Sequence, residues 1–134
     1  MQRQSVNPPE LGPAPRNYSH AVTLAAPAKL VYVSGQISLG PDGKVIGKGD
    51  VRKQCETVFA NVATVLRASG AGWDDVIKMN AYMVGMSDER VAAFREIRAR
   101  YLNKPGQLPA STFVGVERLV DADLLIEVEV VAAL

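Results

Sequence analysis

Between residues 50 and 72 the sequence changes from an alternating apolar pattern to a helical one. Apolar residues recur there at steps of three and four, which predicts an amphipathic helix from Asp50 to the glycines of ASGAG, 68 to 72. A second helical run begins at Ser87 and ends at NKPG, 103 to 106, with an apolar stripe of Ala93, Phe94, Ile97 and Tyr101. Because strand-like segments flank both runs, the sequence predicts an α+β fold.

Strand-like segments, in which apolar and polar residues alternate, precede, separate and follow the two helical runs. They are HAVTLA (20 to 25), KLVYVSGQI (29 to 37), DVIKMNAYMVGM (75 to 86), STFVGVERL (111 to 119) and LLIEVEVVA (124 to 132). The fold is expected to start with the first two as paired strands, and GPDGK, 40 to 44, predicts a tight turn after them. The predicted order is β-β-α-β-α-β-β, with a mixed sheet that carries both helices on one face.

Four prolines in the first 17 residues predict an extended N-terminal arm over residues 1–17, followed by a single domain over residues 18–134. A chain of 134 residues, 48% hydrophobic and 22% charged, has room for one such domain. The net charge of +1 is spread along the sequence, so neither nucleic acid nor a membrane is expected as a partner. A lone cysteine and no signal segment predict a cytoplasmic protein.

The predicted strands have two unlike faces. In the last strand Glu127 and Glu129 share one side, and apolar residues fill the other. In STFVGVERL the side of Val114 and Val116 is assigned to the helices, and Phe113 falls on the mixed side. A mixed sheet face that carries aromatic residues favours self-association, so we expect a closed homo-oligomer.

Sequence motifs give little evidence for metal or cofactor chemistry. The sequence has no zinc-spaced cluster, phosphate-binding loop, dinucleotide fingerprint or serine-nucleophile elbow. His20 and Cys55 are interpreted as structural, because neither has a partner motif for metal binding or nucleophilic catalysis. Arg95, Arg98 and Arg100 form the densest basic cluster and are interpreted as a solvated helix face.

Two features of the strands could carry chemistry, and each has a structural alternative of equal weight. Partial burial of Glu127 would raise its pKa and suit it to proton transfer; alternatively, it pairs with a basic residue across an interface. Gly35 follows Ser34 at the end of an apolar run. It either lets a backbone N–H approach a ligand or marks a bulge without one.

Six stretches, taken in order, resemble the RidA family, also called YjgF or Rid and labelled endoribonuclease L-PSP. They are YSHAV, VYVSGQI with GPDGK, NVATVLRASGAGWDDVIKMNAYMV, REIRARYL, LPASTFVGVERL and LIEVEVVA. The resemblance implies a chorismate-mutase-like fold and a homotrimer with a small-molecule cleft at each subunit interface. Characterised members hydrolyse enamine or imine compounds such as 2-aminoacrylate to a 2-keto acid and ammonia, with no metal or organic cofactor.

The resemblance also implies roles for individual residues. It assigns the closing of the pocket to Tyr18, a strand-end position in the pocket to Ser34 and Gly35, and the positioning of the attacking water to Glu127. Active members read PARS where this chain reads PAST, so Ser111 stands at the position of the arginine that clamps the substrate carboxylate.

Further positions depart from the same pattern. Thr112 takes the place of a serine, Phe113 replaces a small residue or cysteine, and Arg95 stands where an asparagine is common. Arg95 and Arg118 are the candidate substitutes for the missing arginine. Arg118 is predicted to lie on the helix-covered side of the sheet with Val114, and nothing in the sequence places Arg95 in the cleft.

The missing arginine changes the expected function. A serine offers one neutral hydrogen bond instead of a charged bidentate pair, which costs a carboxylate ligand on the order of a few kcal/mol. Hydrolysis of 2-aminoacrylate is therefore not expected, and a pocket with Ser111 suits a neutral or differently anchored imine, enamine or carbonyl compound. The alternative is a non-catalytic protein that binds a metabolite or a partner. Ribonuclease activity ranks last, because the sequence has neither a basic patch nor a pair of histidines.

Overall fold

The computed structural model describes residues 2–13 and 17–134, so Met1 and residues 14–16 of the expected N-terminal arm lie outside the described residues. Within those two ranges the chain forms six strands and two α-helices. They are β1 (Gln2–Val6), β2 (Ala21–Ala25), β3 (Leu30–Ile37), α1 (Val51–Ala68), β4 (Val76–Val84), α2 (Asp88–Arg98), β5 (Ala110–Val116) and β6 (Ile126–Ala133). The predicted α+β class is confirmed.

The mixed sheet has the strand order β3-β6-β4-β5. β6 runs antiparallel to both β3 and β4, and β4 runs parallel to β5. A parallel pair needs a crossover connection, and α2 supplies it between β4 and β5. Buried residues of both helices and of the sheet form one hydrophobic core, as expected for helices packed on one sheet face.

The strand β2 has a different partner from the expected one. It pairs antiparallel with β1 in a separate two-stranded sheet, rather than with β3. The Arg3 guanidinium donates hydrogen bonds of 2.6 Å to the carbonyls of Asp74 and Gln107, and Ser5 Oγ donates to the Gly106 carbonyl. These bonds hold the two-stranded sheet of β1 and β2 against the segments that precede β4 and β5. Because β1 reads QRQSV, with little apolar alternation, its sequence gives no strand signal.

Side-chain caps fix the start of each α-helix. Asp50 Oδ1 accepts a 3.0 Å hydrogen bond from the Lys53 amide, and Ser87 Oγ accepts one from the Arg90 amide. The second helix, α2, is shorter than predicted and ends at Arg98. Tyr101, expected on its apolar stripe, lies beyond the helix and stacks on Phe59 with 5.4 Å between ring centroids.

The two faces of β5 are the reverse of the predicted ones. Phe113 packs on Phe94 of α2 with 4.3 Å between ring centroids, whereas Val114 is 41% exposed. The strand pairing explains the reversal: Phe113 lies beside the buried Ala81 of β4, whose small side chain leaves room for the ring. The prediction for Arg118 is also wrong, because it rested on the side of Val114; Arg118 is exposed and donates to the Leu119 carbonyl.

Candidate functional site

The open face of the sheet, opposite the helices, carries Glu127 at the junction of β3 and β6. The pairing of these strands shifts register between Val33 and Gln36, which places a bulge at Ser34 and Gly35, as one of the two interpretations of Gly35 required. A Cβ built on Gly35 would lie 1.9 Å from Glu127 Oε1, 2.7 Å from Cδ and 2.9 Å from Cγ. The absence of a side chain at residue 35 therefore creates the space that the Glu127 side chain occupies.

Glu127 has a perturbed acidity. Burial raises its pKa above the ordinary glutamate value, and the negative charge of Glu129 raises it further. A carboxylate with a raised pKa accepts a proton more readily than one with the ordinary glutamate pKa does. The structure thus shows the partial burial and the raised pKa on which one of the two interpretations of Glu127 depends.

The neighbouring Glu129 is held by two hydrogen bonds from β4. Tyr82 Oη donates to Glu129 Oε1 at 2.5 Å, and Asn80 Nδ2 donates to the same oxygen at 3.0 Å. These hydrogen bonds lower the pKa of Glu129. Two carboxylates on one strand, two residues apart, thus have pKa values shifted in opposite directions, that of Glu127 upward and that of Glu129 downward.

A cavity of about 330 Å³ lies beside Glu129 on the open face. Ser34 and Tyr32 of β3 line it together with Lys78 and Asn80 of β4. Lys78 Nζ donates a 3.1 Å hydrogen bond to Thr112 Oγ1 of β5. Of the residues implied by the resemblance, this face brings together Ser34, Gly35 and Glu127.

A second, smaller cavity of about 170 Å³ lies between β5 and α2. It brings together the other three predicted residues: Tyr18, Ser111 and Phe113. Two arginines of α2, Arg95 and Arg98, line the same cavity. We call it the α2 cavity.

One copy of the chain does not unite the two groups of residues. Tyr82 of β4 pairs with Glu127 on one side and with Val114 on the other, so β4 separates Glu127 from β5. Glu127 faces away from the helices, whereas Ser111 and Phe113 line a cavity that α2 helps to form. A site that uses all six predicted residues therefore needs two copies.

The interpretation of Arg98 as part of a solvated face is wrong. Arg98 is 5% exposed, and its Nε and Nη2 atoms have no hydrogen-bond partner among the residues that the structure describes. Burial, and next the charge of Arg95, lowers the pKa of Arg98 to about 10, so the guanidinium stays protonated at neutral pH. The sequence contains a signal for this burial, because Arg98 follows Phe94 by four residues and shares its side of the helix.

The structure gives no sign of a catalytic role for Cys55 or His20 within the described residues. Cys55 is fully buried on α1, and burial raises the pKa of its thiol to about 12, which confirms the interpretation as a buried core residue. His20 is exposed, and its ring lies 5.5 Å from that of Tyr18. Residues 2–13 and 17–134 hold no group of three or more His, Cys, Asp or Glu side chains placed to bind a metal ion. No helix in those ranges is long and apolar enough to cross a bilayer.

Comparison with known proteins identifies the family. A family model described as endoribonuclease L-PSP matches residues 10–134. The chain belongs to the RidA/YjgF family. This Rid protein is 33% identical to a RutC family protein of Pyrococcus abyssi over 125 residues, which are 93% of this chain and 89% of that protein.

Two further relatives extend the comparison to yeast and to a solved structure. The mitochondrial protein MMF1 of Saccharomyces cerevisiae is 35% identical over 121 residues, 90% of this chain and 77% of that protein. The Rid family protein YyfB of Yersinia pestis, described as a protein of unknown function, is 34% identical with a TM-score of 0.87, and the match covers all of both chains. The resemblance given by the six sequence stretches is confirmed.

Proposed function

We propose that this Rid protein hydrolyses a small imine, enamine or related carbonyl compound in a cleft between copies of a homotrimer. The proposal rests on the position of the Glu127 side chain beside Gly35. Its side chain fills the space at Gly35, and its pKa is raised by burial. Tyr18, Ser34, Ser111 and Phe113 are proposed to bind the substrate.

The proposed step uses one water molecule and releases ammonia. Glu127 accepts a proton from the water as the water oxygen bonds to the imine carbon, and the proton passes to the nitrogen. A carbinolamine results, and its hydroxyl proton passes through Glu127 to the same nitrogen. The carbon–nitrogen bond then breaks, ammonia leaves and a carbonyl compound remains. Within the proposal the protein needs no metal or organic cofactor, since a carboxylate supplies both proton transfers.

The arrangement in one copy supports the proposed trimer. Glu127 and the α2 cavity lie on different sides of the sheet, so a second copy is needed to bring them together. Tyr32 on the open face is 76% exposed, and Val114 on the same face is 41% exposed. Exposed apolar and aromatic side chains on a sheet face are typical of surfaces that another protein copy covers. Light scattering on the purified chain should give the mass of three copies, and the mass of a single copy would contradict the proposal.

The substrate is proposed to differ from 2-aminoacrylate, because Ser111 replaces the arginine of active family members. Wild-type protein and Ser111→Arg, assayed side by side against 2-aminoacrylate generated in situ, test this point. We expect activity only in Ser111→Arg. Activity in the wild type would contradict the interpretation of Ser111.

The proposed mechanism is tested by Glu127→Gln, which keeps the shape of the side chain and removes its basicity. Ammonia release from a panel of imines, generated in situ by an amino acid oxidase, should fall by at least about 100-fold. The exposed Glu117 provides a matched control, since Glu117→Gln removes one solvent-exposed carboxylate and leaves Glu127 in place. An unchanged rate in Glu127→Gln would remove the mechanism.

The second candidate function is non-catalytic binding of a small metabolite, and the serine at residue 111 favours it because a main substrate contact of active members is missing. Calorimetric binding of a small carbonyl compound with no product over hours would support this function. Nucleic acid is not proposed as a ligand. A cytoplasmic location remains a prediction, and the mitochondrial relative MMF1 shows that the family is not confined to that compartment.

A further inference from the structure

Arg98 is a buried cation, and the described residues offer its Nε and Nη2 atoms no hydrogen-bond partner. Its side chain is 5% exposed and lines the α2 cavity, and neither Nε nor Nη2 meets an acceptor within residues 2–13 and 17–134. A buried guanidinium is costly to desolvate unless hydrogen bonds and an opposite charge compensate it. Among the described residues of one copy, the Nε and Nη2 donors of this charged group therefore lack the acceptors that they require.

The surroundings of Arg98 increase this requirement. Arg95 lines the same cavity one helical turn earlier, and its positive charge lowers the pKa of Arg98. Within one copy, the other described residues that line the cavity are Asn17, Tyr18, Phe94, Ser111 and Phe113, so no carboxylate of the same copy is among them. Like charges that converge on a small cavity repel each other unless an anion lies between them.

We infer that the α2 cavity binds the carboxylate group of a small ligand, with Arg98 as the principal anchor and Arg95 as a second cation. This inference rests on the proposed function for the identity of the site, and it names the class of substrate. The chain thus differs from the active family members in the element that supplies the cation, α2 instead of β5.

The remaining lining residues favour a carboxylate over phosphate. Rings of Tyr18, Phe94 and Phe113 give the cavity apolar walls, and Ser111 and Asn17 add neutral hydrogen-bonding groups. A cavity of about 170 Å³ with such walls suits an anion that carries a short apolar body. Because the anchor lies on α2, we expect the carboxylate to lie nearer to α2 than one that is clamped at residue 111.

A structural role is the main alternative for Arg98. Arginine at a helix C-terminus commonly donates to the last carbonyl groups and interacts with the helix dipole. Arg98 ends α2, but its Nε and Nη2 atoms make no such bond in the part of the chain that the structure describes. A capping role and a ligand role also differ in what they predict for stability, because removing a cap destabilises the chain, whereas removing an uncompensated buried charge does not.

The test measures binding of propionate to the full chain by calorimetry or NMR titration, with propionamide as the neutral analogue of equal shape and inorganic phosphate as the competing anion. The variants are Arg98→Met, which keeps the length and removes the charge, and Arg98→Lys, which keeps the charge and removes the planar fork. Arg100→Gln is the control, because Arg100 is an exposed arginine two residues away. Thermal unfolding without ligand establishes that each variant is folded.

We expect the wild type to bind propionate at least about tenfold more tightly than propionamide or phosphate. Arg98→Met should lose this preference and should unfold at the same temperature as the wild type or at a higher one. Arg98→Lys should keep part of the preference for propionate, and Arg100→Gln should keep all of it. Equal binding of propionate and propionamide by the wild type, or a preference that survives in Arg98→Met, would overturn the inference. Binding is measured without turnover, so its failure is distinguishable from the loss of rate in Glu127→Gln that tests the proposed function.

Discussion

Replacement of Gly35 by alanine tests the position of Glu127 with a single methyl group. The added Cβ would lie 1.9 Å from Glu127 Oε1, and ordinary contacts begin at about 3.4 Å, so the carboxylate must move by about 1.5 Å. Misplacement of a catalytic group by about 1 Å can reduce a rate by about 100-fold, which corresponds to about 2.7 kcal/mol of transition-state free energy. We therefore expect Gly35→Ala to reduce imine hydrolysis by about 100-fold.

The stability of Gly35→Ala should change little, because the displaced carboxylate is the end of a flexible side chain. Alanine loses less conformational entropy than glycine on folding, which offsets part of the clash and keeps the free energy of unfolding within about 1 kcal/mol of the wild type. Gly115→Ala is the matched control in β5, since a Cβ there would meet Met86 Cβ at an ordinary 3.5 Å. Ammonia release and urea unfolding are measured on the same samples. A wild-type rate of ammonia release in Gly35→Ala would show that the position of the Glu127 carboxylate beside Gly35 is not needed for the reaction.

Three further predictions concern acidity, packing and thiol reactivity. The acid limb of the pH–rate profile should lie above the ordinary glutamate pKa, because the pKa of Glu127 is raised. Glu129→Gln should shift that limb to lower pH, because the variant removes a neighbouring negative charge. A shift to higher pH would contradict the assignment of the limb to Glu127. Phe113→Ala should lower the free energy of unfolding by about 3 kcal/mol in urea titrations, well beyond the effect of Val114→Ala, and equal effects would contradict the observed faces of β5. Cys55 should react with a thiol reagent only when the chain unfolds, because burial raises its pKa to about 12, and rapid labelling of the folded protein would contradict this burial.

Local patterns in the sequence were sufficient to predict the elements that carry their own signals. The run after Asp50 and the start at Ser87 predicted both helices, since capping and period are short-range properties. The assignment of the face of Glu127 also followed from alternation within β6, whose opposite side is buried. By contrast, β1 has no apolar alternation and is held by its backbone pairing and by Arg3, so its partner could not be predicted from the pattern.

The candidate site depends on contacts between elements, which explains why the sequence predicted it only in part. The face of Phe113 is decided by its pairing with Ala81, and the contact of Gly35 with Glu127 depends on a bulge and a register between two strands. Arg98 was predictable in principle from its helical position relative to Phe94. Grouping it by charge with its arginine neighbours gave the wrong environment, because the burial of a helical residue depends on the face on which it lies and not on its charge.

The proposed site joins Glu127 of one copy to the α2 cavity of another, and subunit mixing distinguishes this site from one that lies within a single copy. Glu127→Gln removes the base, and Ser111→Trp fills the cavity; each variant alone should be inactive in ammonia release. When equal amounts are unfolded and refolded together, random assembly should restore about one quarter of the wild-type rate, because one site in four combines an intact Glu127 with an intact cavity. A mixture that stays as inactive as its two components would contradict a site shared between copies.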